Sequence, residues 1–251
     1  MGEIPRQELD TLKSEHLAEG IRPIMACVGT KEQYANELAG IKDIEKVGQN
    51  VDFYLGSEIA DNLDFKNAGD QTYIISAVND RPKFTHELRN CTSLVVVGRE
   101  VGSEKELSFL THQEPGDINH LMKDLFVQHL KERLEELKRK CLAGTIDVVI
   151  AGGRFYTGED HEYEKTLELL GSIVQEAMGF EPLVISGPKS GDEDDVYFDT
   201  EKRRLYVIRP SGGGYASPIP HNEPFKPSQI GEMRKKWEEE EKKHKPFGDW
   251  Q

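Results

Sequence analysis

The feature that most constrains this fold is a series of short apolar runs, rich in β-branched residues, that begins near Thr72. Each run is bounded by Gly, Pro, Asp or Asn, which is typical of strands that are separated by tight turns. The first three runs cover residues 73–78, 93–98 and 106–111. We expect three adjacent, antiparallel strands.

Helical patterns then alternate with further strand patterns. Residues 117–142 carry apolar side chains three to five positions apart, with an acidic start and a basic end that complement a helix dipole, and residues 162–178 predict a second helix. The remaining strand patterns cover residues 146–151, 183–186, 196–199 and 205–208, the last two as a hairpin. Strands followed by interleaved helices and strands favour a layered α/β domain whose two helices cover one face of a sheet.

The two ends of the chain carry weaker patterns. Residues 1–69 show helical spacing of leucines without a strong strand pattern, which predicts a partly helical N-terminal appendage. Residues 210–251 begin with a Pro- and Gly-rich linker or strap and end in a charged stretch around Trp237, which is typical of a solvated helix. We expect one main domain, residues 70–209, between these ends.

Charge and cysteine usage exclude several classes of protein. The 251 residues include 32 Lys and Arg against 46 Asp and Glu, a net charge of -14, so the average field repels nucleic acid and anionic membranes. No apolar run approaches the roughly 20 residues that span a bilayer, and the N-terminus lacks a signal-peptide pattern. Three scattered cysteines, Cys27, Cys91 and Cys141, disfavour a disulfide framework or a zinc site and indicate a reducing compartment, the cytoplasm.

Cys91 stands at the start of one predicted strand, and His112 stands at the end of the next. A thiol and an imidazole that meet across neighbouring strands form the pair that a cysteine nucleophile and its base require. Arg89 and His112 are candidates to lower the pKa of the thiol, and backbone N–H groups of the turn 87–90, including that of Asn90, are candidates to bind an oxyanion. The alternative is that Cys91 is a small buried hydrophobe, which is the commoner case for a cysteine.

Further residues point to a site near Cys91. Thr85 lies six residues before the cysteine, and the strand of His112 ends in polar residues where a purely structural strand gains little from an imidazole. Gly152 and Gly153 end a buried strand, where the backbone must pass close to another group. His86 is a weaker candidate, because a loop histidine is more often solvated.

Thr85, Cys91 and His112 resemble the Thr-x5-Cys and following His of CheD, the chemoreceptor glutamine deamidase family of bacterial chemotaxis. The similarity continues through an apolar strand that ends in a glycine pair, the helix 162–178 and a closing hairpin, and it covers about residues 70–209. The resemblance implies a layered α/β/β sandwich of CheD type, with mixed, largely antiparallel sheets and two main helices. The catalytic domain of cytotoxic necrotizing factor toxins shares that fold.

The resemblance also implies an activity, the hydrolysis of a glutamine or asparagine carboxamide in a protein substrate. Cys91 would attack the amide carbon, while His112 would give a proton to the departing ammonia and activate the water that cleaves the thioester. Thr85 would orient His112. Substrate or oxyanion contacts would come from Asn90, Arg89, Gly152 and Gly153. The reaction needs no metal or cofactor.

One turn departs from the family pattern. The family's Gly-Leu-Gly-Ser-Cys reads Glu87-Leu88-Arg89-Asn90-Cys91 here, so bulkier residues replace two glycines that let a substrate backbone approach. The interval of 21 residues between Cys91 and His112 is also longer than in the family. These differences leave three alternatives open: a different substrate, a catalytically silent protein-binding module, or cysteine-dependent transfer or proteolysis with the same pair.

Overall fold

A computed structural model describes residues 7–9, 16–30, 38–53, 65–67, 72–155, 161–187, 193–209 and 224–243. Over these ranges the chain is a mixed α/β protein with two mixed six-stranded sheets and five α-helices. No helix within the described ranges is both long enough and apolar enough to cross a membrane.

The first sheet, sheet A, contains strands from both ends of the chain. Its six strands, in their order across the sheet, are β1 (Gln7–Leu9), β2 (Met25–Thr30), β12 (Arg204–Arg209), β11 (Asp194–Asp199), β6 (Lys83–Leu88) and β3 (Gln49–Asn50). The pairs β2–β12 and β3–β6 are parallel, and the other neighbours are antiparallel. The predicted hairpin is present as β11 and β12.

The second sheet, sheet B, contains the three runs that the sequence predicts as neighbours. Its strands, again in order across the sheet, are β10 (Leu183–Ser186), β9 (Asp147–Gly152), β7 (Thr92–Arg99), β8 (Glu106–Gln113), β5 (Tyr73–Ile75) and β4 (Lys66–Asn67). Only β9 and β10 are parallel. The three predicted strands β5, β8 and β7 are adjacent and antiparallel, with β8 in the middle.

The helices agree with the sequence pattern except at one break. They are α1 (Leu38–Val47), α2 (Pro115–Ile118), α3 (Lys123–Lys140), α4 (Glu162–Met178) and α5 (Ile230–Lys243), with a 3-10 turn at Pro227–Gln229. The single helix predicted over 117–142 is divided between α2 and α3. At the break, the Asn119 side chain donates to the carbonyl of Glu162 and lies 3.0 Å from Thr166 Oγ1, which ties this segment to α4.

Two apolar clusters define the layers. One cluster joins the facing sides of the two sheets and includes Val95 of sheet B and Val207 of sheet A. The other lies on the opposite face of sheet B, where Val96 packs with Leu134 of α3 and Leu170 of α4. Successive side chains of β7 thus point to opposite faces of sheet B and pack in different layers, as strand geometry requires. The order of layers is α3 and α4, sheet B, sheet A.

The N-terminal part of the chain contributes to sheet A, where helical spacing predicted no strand. β2 lies between β1 and β12, with Ala26 and Val28 on the inter-sheet face and Cys27 packed in a third cluster with Ile41 and Ile44 of α1. A strand that is covered on both faces has no polar alternation, which explains the missing sequence signal. The helical spacing within residues 1–69 includes Leu12 and Tyr34, and these two residues lie outside the described ranges.

The charged C-terminal stretch forms α5, but it is not simply a solvated helix. Trp237 is only 4 % exposed, belongs to the cluster beneath α3 and α4, and has its ring centroid 6.1 Å from that of Phe155. The apolar face of α5 therefore packs on the core. The predicted linker, residues 210–223, lies outside the described residues.

Candidate functional site

Cys91 and His112 project from the same face of sheet B, the face that packs on sheet A. Cys91 immediately precedes β7 and lies in the inter-sheet cluster with Val95. His112 is two residues from Leu110 of the same cluster, and alternate residues of a strand share a face. The two side chains therefore meet the first geometric condition for a catalytic pair.

The cross-strand neighbour of Cys91 is Glu114 and not His112. Because Thr92 pairs with Gln113, the next position outward brings Cys91 opposite Glu114. The thiol donates to Glu114 Oε2, with Sγ at 3.0 Å, and His112 Nε2 has no hydrogen-bond partner among the described residues. Cys91 and His112 are diagonal neighbours, and no hydrogen bond joins them in this conformation.

The surroundings of Cys91 hold its thiol in the protonated form. The side chain is 8 % exposed, and burial raises the pKa of the thiol, with the Glu114 carboxylate raising it further. Arg89, which the sequence suggested as a cationic neighbour, instead forms an ion pair with Glu193 at an exposed position. The lowered pKa expected for Cys91 is therefore not present in this arrangement.

His112 is a buried, neutral imidazole with one nitrogen engaged. The side chain is 3 % exposed, and burial lowers its pKa to about 3. Nδ1 lies 2.7 Å from Thr85 Oγ1, while the Phe53 ring packs against the imidazole with 3.9 Å between centroids. The structure thus brings Thr85 and His112 together and leaves Nε2 as an unpaired buried nitrogen among the described residues.

Thr85 comes from the opposite sheet, so the site lies between the two sheets. It belongs to β6, which the sequence pattern did not predict as a strand, and β6 pairs in parallel with β3 through Asn50 and Phe84. This pairing brings the residues after β3 beside Thr85. As a result Thr85 Oγ1 lies 3.1 Å from the Val51 carbonyl oxygen and 2.9 Å from Asp52 Oδ1.

Asp52 also contacts His86, which lies in β6 and not in a loop. The carboxylate accepts from the backbone N–H of His86 at 2.7 Å and pairs with its Nδ1 at 2.8 Å. Burial alone would raise the pKa of Asp52, but the hydrogen bonds from His86 and Thr85 outweigh it and lower that pKa. The hydrogen bond with Asp52 in turn raises the pKa of His86. Sequence reasoning missed Asp52, because only the pairing of β3 with β6 connects it to the site.

The glycine pair at the end of β9 holds the backbone of Cys91. Gly152 and Gly153 have φ angles of 85° and 66°, in the left-handed region. The Gly153 N–H donates to the Cys91 carbonyl oxygen at 2.8 Å, and a Cβ on Gly152 would lie 2.9 Å from that oxygen. The predicted close approach is therefore to Cys91 itself. The Gly153 amide is engaged within the fold and is not available for the oxyanion role expected of it.

The turn before Cys91 contains an unusual backbone angle. Glu87 has a φ of 60°, in a region that favours glycine, at the place where the CheD pattern has its first glycine. The Arg89 N–H donates to the Glu87 carbonyl oxygen at 2.8 Å, so this amide too is used within the turn. Asn90 is half-buried next to Cys91.

A comparison with models of known protein families and with curated proteins found no match to this chain. Among the described residues, no group of three His, Cys, Asp or Glu side chains is arranged to hold a metal ion.

Proposed function

We propose that this protein is a cysteine-dependent amidohydrolase with a sandwich fold of CheD type, which deamidates a glutamine or asparagine side chain in a protein substrate. The observation that supports it best is the state of His112. Its Nδ1 is bonded to Thr85, and its Nε2, which has no hydrogen-bond partner among the described residues, lies on the sheet face that carries Cys91. A neutral imidazole with a free acceptor nitrogen is the form that can act as a general base.

The proposed reaction begins from a neutral thiol and a neutral imidazole. The Cys91 side chain turns from Glu114 toward its diagonal neighbour His112. An aromatic ring such as that of His112 is long enough to reach a diagonal neighbour. Nε2 takes the thiol proton while sulfur attacks the carboxamide carbon, and the same proton leaves with ammonia as the C–N bond breaks. Water then gives a proton to Nε2 and attacks the thioester, which releases the carboxylic acid and restores the thiol.

A second candidate function is a catalytically silent binding module with the same fold. The contact between Cys91 and Glu114 favours it, because a carboxylate beside a buried thiol opposes thiolate formation. The two functions differ in what they require of Cys91. The enzyme needs a reactive sulfur at Cys91, whereas the binding module needs only a side chain that fills the same volume.

The cysteines support a cytoplasmic location for the proposed hydrolase. Cys27, Cys91 and Cys141 lie in three different parts of the fold, and no disulfide joins any of these three described residues. A thiol nucleophile stays reduced in such a compartment.

The test is ammonia release from a panel of unfolded proteins and peptides that contain glutamine or asparagine, with the mass gain of deamidation as a second readout. Wild type should release ammonia, whereas C91A and C91S should not. C141A is the matched control, because Cys141 is also buried but lies at the end of α3. Equal activity of wild type and C91A would exclude the mechanism. No activity in any sample, together with iodoacetamide labelling of native Cys91 that is no faster than that of Cys141, would favour the module.

A further inference from the structure

Three polar atoms lie within hydrogen-bond distance of the Thr85 hydroxyl. Its Oγ1 lies 2.7 Å from His112 Nδ1, 2.9 Å from Asp52 Oδ1 and 3.1 Å from the Val51 carbonyl oxygen. A hydroxyl has one donor and two acceptor lone pairs, so it can donate to one of these atoms and must accept from any true donor among them. Which atom receives the proton decides the hydrogen-bond role of His112.

The Asp52 carboxylate is the strongest of the three acceptors. It is an ionised group, because its hydrogen bonds from His86 and Thr85 overcome the effect of burial and lower its pKa. Hydrogen bonds to ionised acceptors are about twice as strong as those between neutral groups. Thr85 therefore donates to Asp52, and its oxygen accepts from His112. A neutral imidazole that donates from Nδ1 has its lone pair on Nε2.

The partners on the far side of Asp52 keep it ionised. His86 Nδ1 donates to Asp52 Oδ2 at 2.8 Å, and His86 Nε2 lies 3.1 Å from the hydroxyl of Tyr197. That hydroxyl donates to Glu45 Oε1 at 2.9 Å, so it accepts from His86. Both nitrogens of His86 then carry protons, which agrees with its raised pKa and leaves Asp52 beside a cation.

We infer that Asp52, acting through the hydroxyl of Thr85, holds His112 in the tautomer that is protonated on Nδ1, so that Nε2 presents its lone pair to the thiol of Cys91 and to a bound ligand. Asp52 is thus a positioning residue, which lies outside the region that resembles CheD. The consequence for catalysis rests on the proposed function, but the tautomer itself does not.

A second buried polar atom lies at the position that faces His112 across the β7–β8 pair. By the β7–β8 register, Ser93 stands opposite His112 on the same sheet face, and Ser93 Oγ also lacks a hydrogen-bond partner among the described residues. Buried polar atoms are nearly always hydrogen-bonded, so two unpaired atoms at facing positions indicate a place that a polar group from a ligand or water fills. The hydroxyl of Ser93 is a suitable donor to such a group.

The test is nitrogen NMR of the protein with isotope-labelled histidine, in which the two ring nitrogens of a neutral imidazole report the tautomer. His112 is assigned by the signal that H112Q removes. In wild type, Nδ1 should carry the proton. In D52A, the hydroxyl of Thr85 is released from the carboxylate, and a population with the proton on Nε2 should appear. D52N keeps an oxygen acceptor for Thr85 but not its charge, so it should retain more of the wild-type tautomer than D52A does.

Three further variants complete the design. H86Q removes the cation beside Asp52 but leaves Thr85 bonded to the carboxylate, so it should shift the tautomer less than D52A does. If D52A does not fold, T85V and T85S serve instead: T85V should lose the preference, whereas T85S should keep it. A proton on Nε2 in wild type, or the same tautomer in wild type, D52A and T85V, would overturn the inference.

Kinetics separate this inference from the proposed function. If the protein releases ammonia from glutamine peptides, D52A should lower kcat by about tenfold or more with little change in KM, because general-base catalysis depends on the correct tautomer. D52N should lower kcat less than D52A does. A tautomer change in D52A together with no ammonia release by wild type would refute the hydrolase and leave the inference intact. Normal kcat in D52A would refute the positioning role.

Discussion

Cys91 and Glu114 face each other across the β7–β8 pair, with the thiol sulfur 3.0 Å from a carboxylate oxygen. This contact opposes the first requirement of a cysteine nucleophile, the loss of its proton. It also supplies the thiol with a hydrogen-bond acceptor. The behaviour of Cys91 therefore depends on Glu114 as much as on His112.

Replacing Glu114 with Gln should make Cys91 more reactive. The amide keeps an acceptor oxygen but removes the negative charge that helps to raise the pKa of the thiol. We expect iodoacetamide to label native E114Q about three to ten times faster than wild type at neutral pH, since a lower pKa gives more thiolate but a weaker nucleophile. Labelling rates should become equal in denaturant. Slower or unchanged labelling of native E114Q would show that the carboxylate does not control the thiol.

Replacing Glu87 with Gly should relieve backbone strain in the turn before Cys91. The φ of 60° at Glu87 costs a residue with a side chain about 1 kcal/mol or more relative to glycine. The side chain is exposed, and the Glu87 N–H to Asp195 Oδ1 contact of 3.2 Å uses only the backbone. We expect E87G to unfold at higher denaturant than E87A, by about 1 kcal/mol in free energy of unfolding. Equal stability of the two variants would indicate that the angle carries no strain.

Replacing Gly153 with Ala should destabilise the protein severely, because the glycine is required both for its φ and for space. An added Cβ would lie 2.3 Å from the Tyr163 ring and 2.8 Å from Thr92 Cγ2. We expect a loss of about 2–4 kcal/mol in free energy of unfolding.

The matched control for this variant is Gly102, which has a φ of 74° and open space around it. G102A should lose only about 1 kcal/mol, the cost of the angle alone. A loss in G153A no larger than that in G102A would mean that the backbone at Cys91 adapts without cost.

Sequence pattern predicted sheet B and α4 well, because their residues follow simple rules. The strand at 183–186 and the helix at 162–178 have the predicted bounds, since apolar periodicity and flanking Gly and Pro residues mark them clearly. Sheet A was harder to predict. β2 is covered on both faces, and β6 contains Thr85 and His86, whose hydrogen-bond partner Asp52 comes from a distant segment.

In the candidate site, too, some residues can be predicted from local sequence pattern and others depend on the pairing of distant segments. The two-residue alternation of β8 places Glu114 on the face of His112, so Glu114 could have been recognised from the sequence. Asp52 could not, because its contact with Thr85 requires β3 to pair with β6 across a separation of more than thirty residues. The catalytic roles of Cys91, His112 and Thr85 stay predictions that the experiments above test.

Lys83 should make the stability of the protein depend on pH. Its ammonium group is fully buried, and its hydrogen-bond partners among the described residues are two neutral acceptors, Asn79 Oδ1 and the Arg81 carbonyl oxygen, each at 2.8 Å. Burial, with a smaller effect from the charge of Arg81, lowers the pKa of Lys83 to about 7 from 10.5. Between these two values the unfolded chain binds a proton that the folded protein does not, so the free energy of unfolding rises with pH across this window.

The contribution of Lys83 to that rise is at most about 1.4 kcal/mol per pH unit, and below pH 7 it is constant because both states are protonated. K83M removes the titrating group, so the free energy of unfolding of K83M minus that of wild type should fall steadily as pH rises from 7 to 10. Denaturant unfolding of both proteins at matched pH values measures this difference, and other groups that titrate in the window cancel. A difference that is independent of pH would show that the Lys83 amine keeps its ordinary pKa in the folded protein.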